Sequence, residues 1–258
     1  MLDPKNIVIA TRGSALALAQ ANTIFDQCRK AFPKLKFEIK IIKTTGDKLQ
    51  TQRLKSNQSL PKGLFTKELE VALVKQKADL AVHSLKDLPT ELPSGLTLGA
   101  VSKREDPREI IAYRDQNYLK NISLLKKIEN EGPNNHSFKG FPSGLAIKDL
   151  PDKLTVATSS PRRKAQLLRL KPQWNIVEIR GNVPTRLEKL AINCQIDAII
   201  LAHAGLRRLN FEINKNNELQ GDAVPDGINA TIIETDDMLP CVGQGAIGIE
   251  IRENDERI

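Results

Sequence analysis

The sequence predicts an α/β protein built as two lobes, and three observations predict it. Short apolar runs alternate with helical periods of three and four along most of the chain. Several of those runs pass directly into helix starts that carry arginines. A length of 258 residues with 40% hydrophobic content is enough to bury a separate core in each of two domains.

Taken in order, residues 7–11 read as a strand and Ser14 as the cap of a helix reaching about residue 32. On that helix Leu18, Ala21, Phe25, Cys28 and Phe32 share one face, which makes Cys28 a packing residue. Residues 37–43 form a second strand, and the aperiodic polar stretch 45–61 reads as a loop beside a site. A helix over 64–75 follows, then a strand over 79–83 running into Ser84-Leu85-Lys86-Asp87, and another strand over 96–101. The charged, proline-containing stretch 102–108 reads as the crossing to a second domain, which opens with a strand over 109–113.

The stretch 130–144 is rich in Gly, Asn, Pro and Ser and has no apolar period, so a surface insertion is expected there. Residues 154–158 then form a strand that meets Ser159 and Ser160 as cap candidates and Pro161 as first helical residue, with Arg162 and Arg163 next. A second such unit carries Arg180 and Arg186. Leu187, Leu190 and Cys194 fall on one helical face, which also assigns Cys194 to packing. The strand 196–202 leads into Gly205-Leu-Arg-Arg-Leu209, read as a third basic helix start, and 238–251 is a glycine-rich turn entering a final strand.

The net charge of +8 points to acidic ligands. Aromatic residues are only 4% and do not interleave with the basic ones, which argues against nucleic acid. No apolar run is long enough for a membrane span or a signal sequence, and three cysteines without paired spacing fit neither a disulfide framework nor a zinc site. A cytoplasmic protein with no membrane partner is therefore expected. His83, His136 and His203 lack ligand spacing, so no metal is expected, and a histidine within a strand reads as hydrogen-bonded core.

In α/β folds ligands bind at the carboxyl ends of strands, where Arg12, Lys86, Arg162, Arg163, Arg180, Arg186, Arg207 and Arg208 all fall in this reading. So many guanidinium groups, each able to hold a carboxylate in a fork, suit a ligand with several carboxylates. Asp87 directly follows a basic residue at a strand end, where a carboxylate can stabilise a developing cation.

Arg12-Gly-Ser14, Lys62-Gly-Leu-Phe65, Ala81-Val-His-Ser-Leu-Lys-Asp87, Arg104-Glu-Asp-Pro-Arg108, Thr158-Ser-Ser-Pro-Arg-Arg163, Arg180-Gly-Asn182 and Val242-Gly-Gln-Gly245 stand in this order over nearly the whole chain. Together they resemble the porphobilinogen deaminases, or hydroxymethylbilane synthases. The resemblance implies two lobes like those of periplasmic solute-binding proteins with a cleft between them. It sets 1–104 plus 237–258 as the first lobe and 105–236 as the second, with the insertion at about 130–150. It also implies the reaction: four porphobilinogen units joined into a linear tetrapyrrole, with loss of ammonia, on a protein-bound dipyrromethane primer. Asp87 would be the catalytic carboxylate. Arg12, Ser14, Lys86, Ser160, Arg162, Arg163, Arg180, Arg186 and Arg208 would hold substrate and primer carboxylates. Lys62 would lie in an active-site loop and Gln244 in a hinge that contributes to binding.

The family carries its primer on a cysteine of a third, C-terminal α+β domain, which these residues do not include. Of the three cysteines here only Cys241 suggests itself as an attachment point. A monomer is the expected state. Two other readings stand beside the enzyme: a chain that binds polycarboxylate pyrroles without turnover, and a non-catalytic solute-binding module. The Lys86-Asp87 pair counts against the second.

Overall fold

The computed structural model describes residues 6–46, 65–128 and 138–258. The expected loop 45–61 and Lys62 therefore lie almost wholly outside the described residues. The chain divides into two compact units, one of Met1–Glu105 with Val242–Ile258 and one of Asp106–Cys241. Among the described residues no helix is long and apolar enough to cross a membrane.

The first unit contains β1 (Asn6–Thr11), α1 (Ala15–Ala31), β2 (Lys36–Ile41), α2 (Lys67–Val74), β3 (Leu80–Ser84) and β4 (Leu96–Val101). The strand order β2-β1-β3-β12-β4 is completed by β12 (Ile247–Arg252), which returns from the far end of the sequence. It enters antiparallel between β3 and β4, pairing Ile249 with both Val82 and Ala100. Side chains alternate across a strand. Ile7 and Ile9 accordingly pack with Ala21 and Ile24 of α1, while Val8 and Ala10 pack with Leu69 and Leu73 of α2. Cys28 packs against the α1 side of this core, as its helical position predicts, and burial pushes its thiol pKa up. The returning strand is tied down by Asp79, a fully buried carboxylate. Asp79 accepts from the Val8 amide at 2.8 Å and pairs with Arg252 at 3.3 Å and with Arg257.

The second unit contains β5 (Glu109–Arg114), α3 (Gln116–Ile128), β6 (Thr155–Ala157), α4 (Pro161–Leu170), β7 (Asn175–Val177), α5 (Val183–Ile192), β8 (Ala198–Ala202), α6 (His203–Arg208), the short strands β9 (Glu212–Ile213) and β10 (Leu219–Gln220), and β11 (Ile228–Ile233). Its main sheet has the order β11-β5-β8-β6-β7, with β6 parallel to both β7 and β8. Again β5 serves two cores: Ile110 and Ala112 join Leu187 and Leu190, and Ile111 and Tyr113 join Leu167 and Trp174.

Three local expectations change. Residues 129–137 of the expected insertion lie outside the description, but Phe141 is no surface residue. It is buried against Tyr113, ring centroids 5.9 Å apart, and its amide donates to Arg114 O. One buried aromatic in a glycine-rich stretch leaves no period to detect. Helix α5 stops at Ile192, so Cys194 is not on its apolar face. It lines an open polar surface pocket with Lys139 and Asp197 instead. Helix α6 begins at His203 and ends at Arg208, which places Arg207 and Arg208 in its last turn, not at its start. There they complement the negative end of the helix dipole.

Candidate functional site

In the first unit the turn after β1 is fixed by two side chains. Buried Thr11 donates from Oγ1 to Ala17 O at 3.1 Å, and Ser14 Oγ caps α1 by accepting from the Ala17 amide at 3.3 Å. Arg12 is held between them at the carboxyl end of β1. Parallel to β1 and beside it, β3 ends at Ser84, and a single 3-10 turn over Leu85–Asp87 leaves Asp87 exposed. Neighbouring parallel strands bring their carboxyl ends together. The result is a pocket lined by Arg12, Ser14, Phe65, Thr66, His83 and Asp87, among others. The Arg12 guanidinium lies 4.2 Å from the centroid of the Phe65 ring, a cation–π contact that orients its donor fork.

In the pocket wall, Gln20 donates to Ser84 Oγ at 2.9 Å. His83 is indeed a hydrogen-bonded core residue, its Nε2 lying 3.1 Å from Oε2 of the fully buried Glu250, yet it also contributes to the pocket wall. Thr66 is buried, and among the described residues its Oγ1 has no hydrogen-bond partner. Such an orphan costs about 1–3 kcal/mol.

Lys86 donates to Gln244 Oε1 at 3.2 Å, and the Gln244 carbonyl accepts from Arg104 Nε at 2.8 Å. Gln244, expected to contact ligand directly, is 1% exposed and acts as a support for Lys86. Its flanking glycines adopt φ of +72° at Gly243 and +90° at Gly245, and a Cβ on Gly245 would fall 2.5 Å from Glu105 O. Gly245→Ala is therefore expected to cost about 1–3 kcal/mol. A thermal melt checks the loss, and an unchanged melting temperature would refute the close approach.

The second unit presents its arginines differently from the sequence expectation. Ser160 caps α4, accepting from the Arg163 amide at 3.4 Å, with Pro161 in the first turn as expected. Arg163, expected to hold ligand, is buried and spent internally: Nε and Nη2 fork onto Glu109 at 3.0 and 2.7 Å, and Nη1 donates to Ile200 O at 3.0 Å. Arg162 shares the same carboxylate and also donates to Leu239 O, while remaining partly exposed. Burial pushes the Glu109 carboxyl up, but the charge and hydrogen bonds of Arg163, then of Arg162, outweigh it, and the pKa ends below the ordinary value.

Arg186 donates from Nε to Gly181 O at 2.8 Å. Its pKa is pushed down to about 10, first by burial and then by the charge of Arg163. A partly desolvated guanidinium near a second one is a cation in want of an anion. Arg180 is exposed and only loosely paired with Glu178 at 3.6 Å, and Arg208 is partly buried in the last turn of α6. Cys241, the last residue of this unit, is partly buried. Sequence reasoning missed Glu109, because a single acid before an apolar strand carries no signal until two guanidiniums are seen to share it.

The family profile described as porphobilinogen deaminase, dipyromethane cofactor binding domain, matches residues 7–258. The chain belongs to the porphobilinogen deaminase family. Curated porphobilinogen deaminases resemble it throughout: that of Moorella thermoacetica is 40% identical over 98% of this chain and 66% of its own length. The Chlorobium phaeobacteroides protein is 39% identical over 98% and 66%, and the Clostridioides difficile protein 38% identical over 98% and 69%. The chain thus spans about two thirds of the length of these porphobilinogen deaminases. Among solved structures, the BenM effector-binding domain with benzoate aligns at a TM-score of 0.49 and 15% identity, over 97% of this chain and 85% of that one.

Proposed function

We propose that this chain is the porphobilinogen-binding and catalytic part of a hydroxymethylbilane synthase, joining four porphobilinogen units head to tail with loss of ammonia. The observation that carries the reading is the pocket of the first unit, where a carboxylate, Asp87, and a ring-oriented guanidinium, Arg12, meet at the ends of adjacent parallel strands. Family membership supports it.

Porphobilinogen carries an acetate, a propionate and an aminomethyl group. Arg12, Ser14 and Lys86 would hold carboxylates in the first unit, and Ser160, Arg162, Arg180, Arg186 and Arg208 in the second. Arg163 acts through Glu109 to keep Arg162 in place. Loss of ammonia from the aminomethyl carbon leaves a cationic methylene-pyrrolenine, and the Asp87 carboxylate stabilises that charge and holds the pyrrole N–H. A bound dipyrromethane, its carboxylates held by the same serines, arginines and lysine, would supply a nucleophilic pyrrole carbon. The donor set fits such a polycarboxylate, since Arg186 is a partly desolvated cation whose protein neighbours include Arg163, a like charge.

The test is porphobilinogen consumption, ammonia release and linear tetrapyrrole formation by the purified protein, with Asp87→Ala as control. Turnover that disappears in the variant is expected; equal turnover by the two proteins would refute Asp87's role. A folded wild-type chain that neither binds nor consumes porphobilinogen would refute the function.

A further inference from the structure

We infer that Thr66 is a ligand-contacting residue of the Asp87 pocket, its hydroxyl donating a hydrogen bond to a carboxylate of the bound pyrrole. The inference rests on the proposed binding of porphobilinogen. Three observations carry it. Thr66 is 1% exposed, and among the described residues Oγ1 has no partner. It occupies the N-cap position of α2, where a threonine ordinarily turns its hydroxyl onto a backbone N–H of the first turn, and here its side chain makes no such bond. It also lines the pocket that holds Arg12, Ser14 and Asp87, next in sequence to the Phe65 ring on which Arg12 rests.

The ligand-free protein gains nothing from this hydroxyl. A valine would fill the same volume without burying an unpaired polar atom, and an unpaired polar atom weakens the fold that keeps it. A ligand carboxylate supplies what is missing. It is acceptor-only, with about four lone-pair sites over two oxygens, so the Arg12 fork leaves acceptor sites for a hydroxyl donor. One staggered step about the Cα–Cβ bond moves Oγ1 to the next staggered position, so the side chain can re-aim its O–H without backbone movement. Thr66 would then help select the ligand by its carboxylate, whereas Asp87 responds to the cation formed at the reacting carbon.

Calorimetric titration of porphobilinogen into wild type, Thr66→Val and Thr66→Ser, with melts of the three ligand-free proteins, tests this. Thr66→Val is expected to weaken binding about tenfold, the loss of one hydrogen bond to a charged acceptor. Thr66→Ser should stay close to wild type, and ligand-free Thr66→Val should melt at or above the wild-type temperature. Wild-type affinity in Thr66→Val would overturn the inference. So would a lower ligand-free melting temperature, because it would assign the hydroxyl to a bond within the protein. If wild type itself fails to bind porphobilinogen, the functional reading falls and this contact falls with it. Equal binding by wild type and Thr66→Val removes the contact alone.

Discussion

Asp87→Asn should lower porphobilinogen turnover by about 10²–10³-fold, the range for removing one electrostatic stabiliser of a charged transition state. The substitution keeps the shape of the side chain and removes its charge. Asp87 is exposed at the end of a one-turn helix, so the melting temperature should stay in place. On the proposed reading Arg12, Ser14 and Lys86 hold the ligand carboxylates and are left alone, and the asparagine Oδ1 still accepts from the pyrrole N–H, so porphobilinogen affinity should be retained while kcat falls. That split marks an interaction made in the transition state. Calorimetric affinity and steady-state rates on the same preparation decide it; a parallel loss of both would reassign Asp87 to ground-state binding.

The largest expected effect on stability lies in the second unit. Glu109 is fully buried and receives hydrogen bonds from both Arg162 and Arg163. Glu109→Ala removes the carboxylate and strands a buried guanidinium, a loss of about 3–5 kcal/mol. The same pair gives a pH dependence of definite sign. The folded pKa of Glu109 lies below its ordinary value. Its contribution is therefore complete above the ordinary glutamate pKa and is lost as pH falls through the depressed one. Chemical denaturation from neutral pH down to about pH 3 should show this acid-side loss in wild type and a flatter profile in Glu109→Gln. Identical slopes in the two proteins would exclude Glu109 as the titrating group.

The alternation of strands and helices was legible because it is written in local periods of two and about 3.6 residues. The caps Ser14 and Ser160 and the first-turn Pro161 were legible for the same reason, since each acts within three residues of itself. Contacts across long sequence separations were not. Arg163 and Arg162 are adjacent in sequence and alike in type, yet one is buried against Glu109 and Ile200 and the other is partly exposed. Only their helical phase relative to β5 and β8 separates them. Gln244 was expected to contribute to binding only because the family resemblance places it in a hinge, and its glycine-rich setting said nothing of its burial. Those glycines let the backbone approach Glu105 and Leu85 closely enough to bury it. Phe141 shows the converse, a core residue inside a stretch whose composition reads as loop.

The strand β12 is an interior strand of the first sheet, between β3 and β4, although it is made about 150 residues after its neighbour β4, a separation set by the whole second unit. During synthesis, therefore, β3 and β4 emerge with no partner between them, and Asp79 waits for Arg252 and Arg257. The second unit is continuous in sequence and can complete its own sheet while the first is still open. Folding order is therefore expected to reverse the order of translation, with the unit that holds the amino terminus the last to close. Pulse-labelled hydrogen exchange during refolding should find the amides of β5 and β8 protected before those of β3 and β12, because loop closure across the intervening unit has to come first.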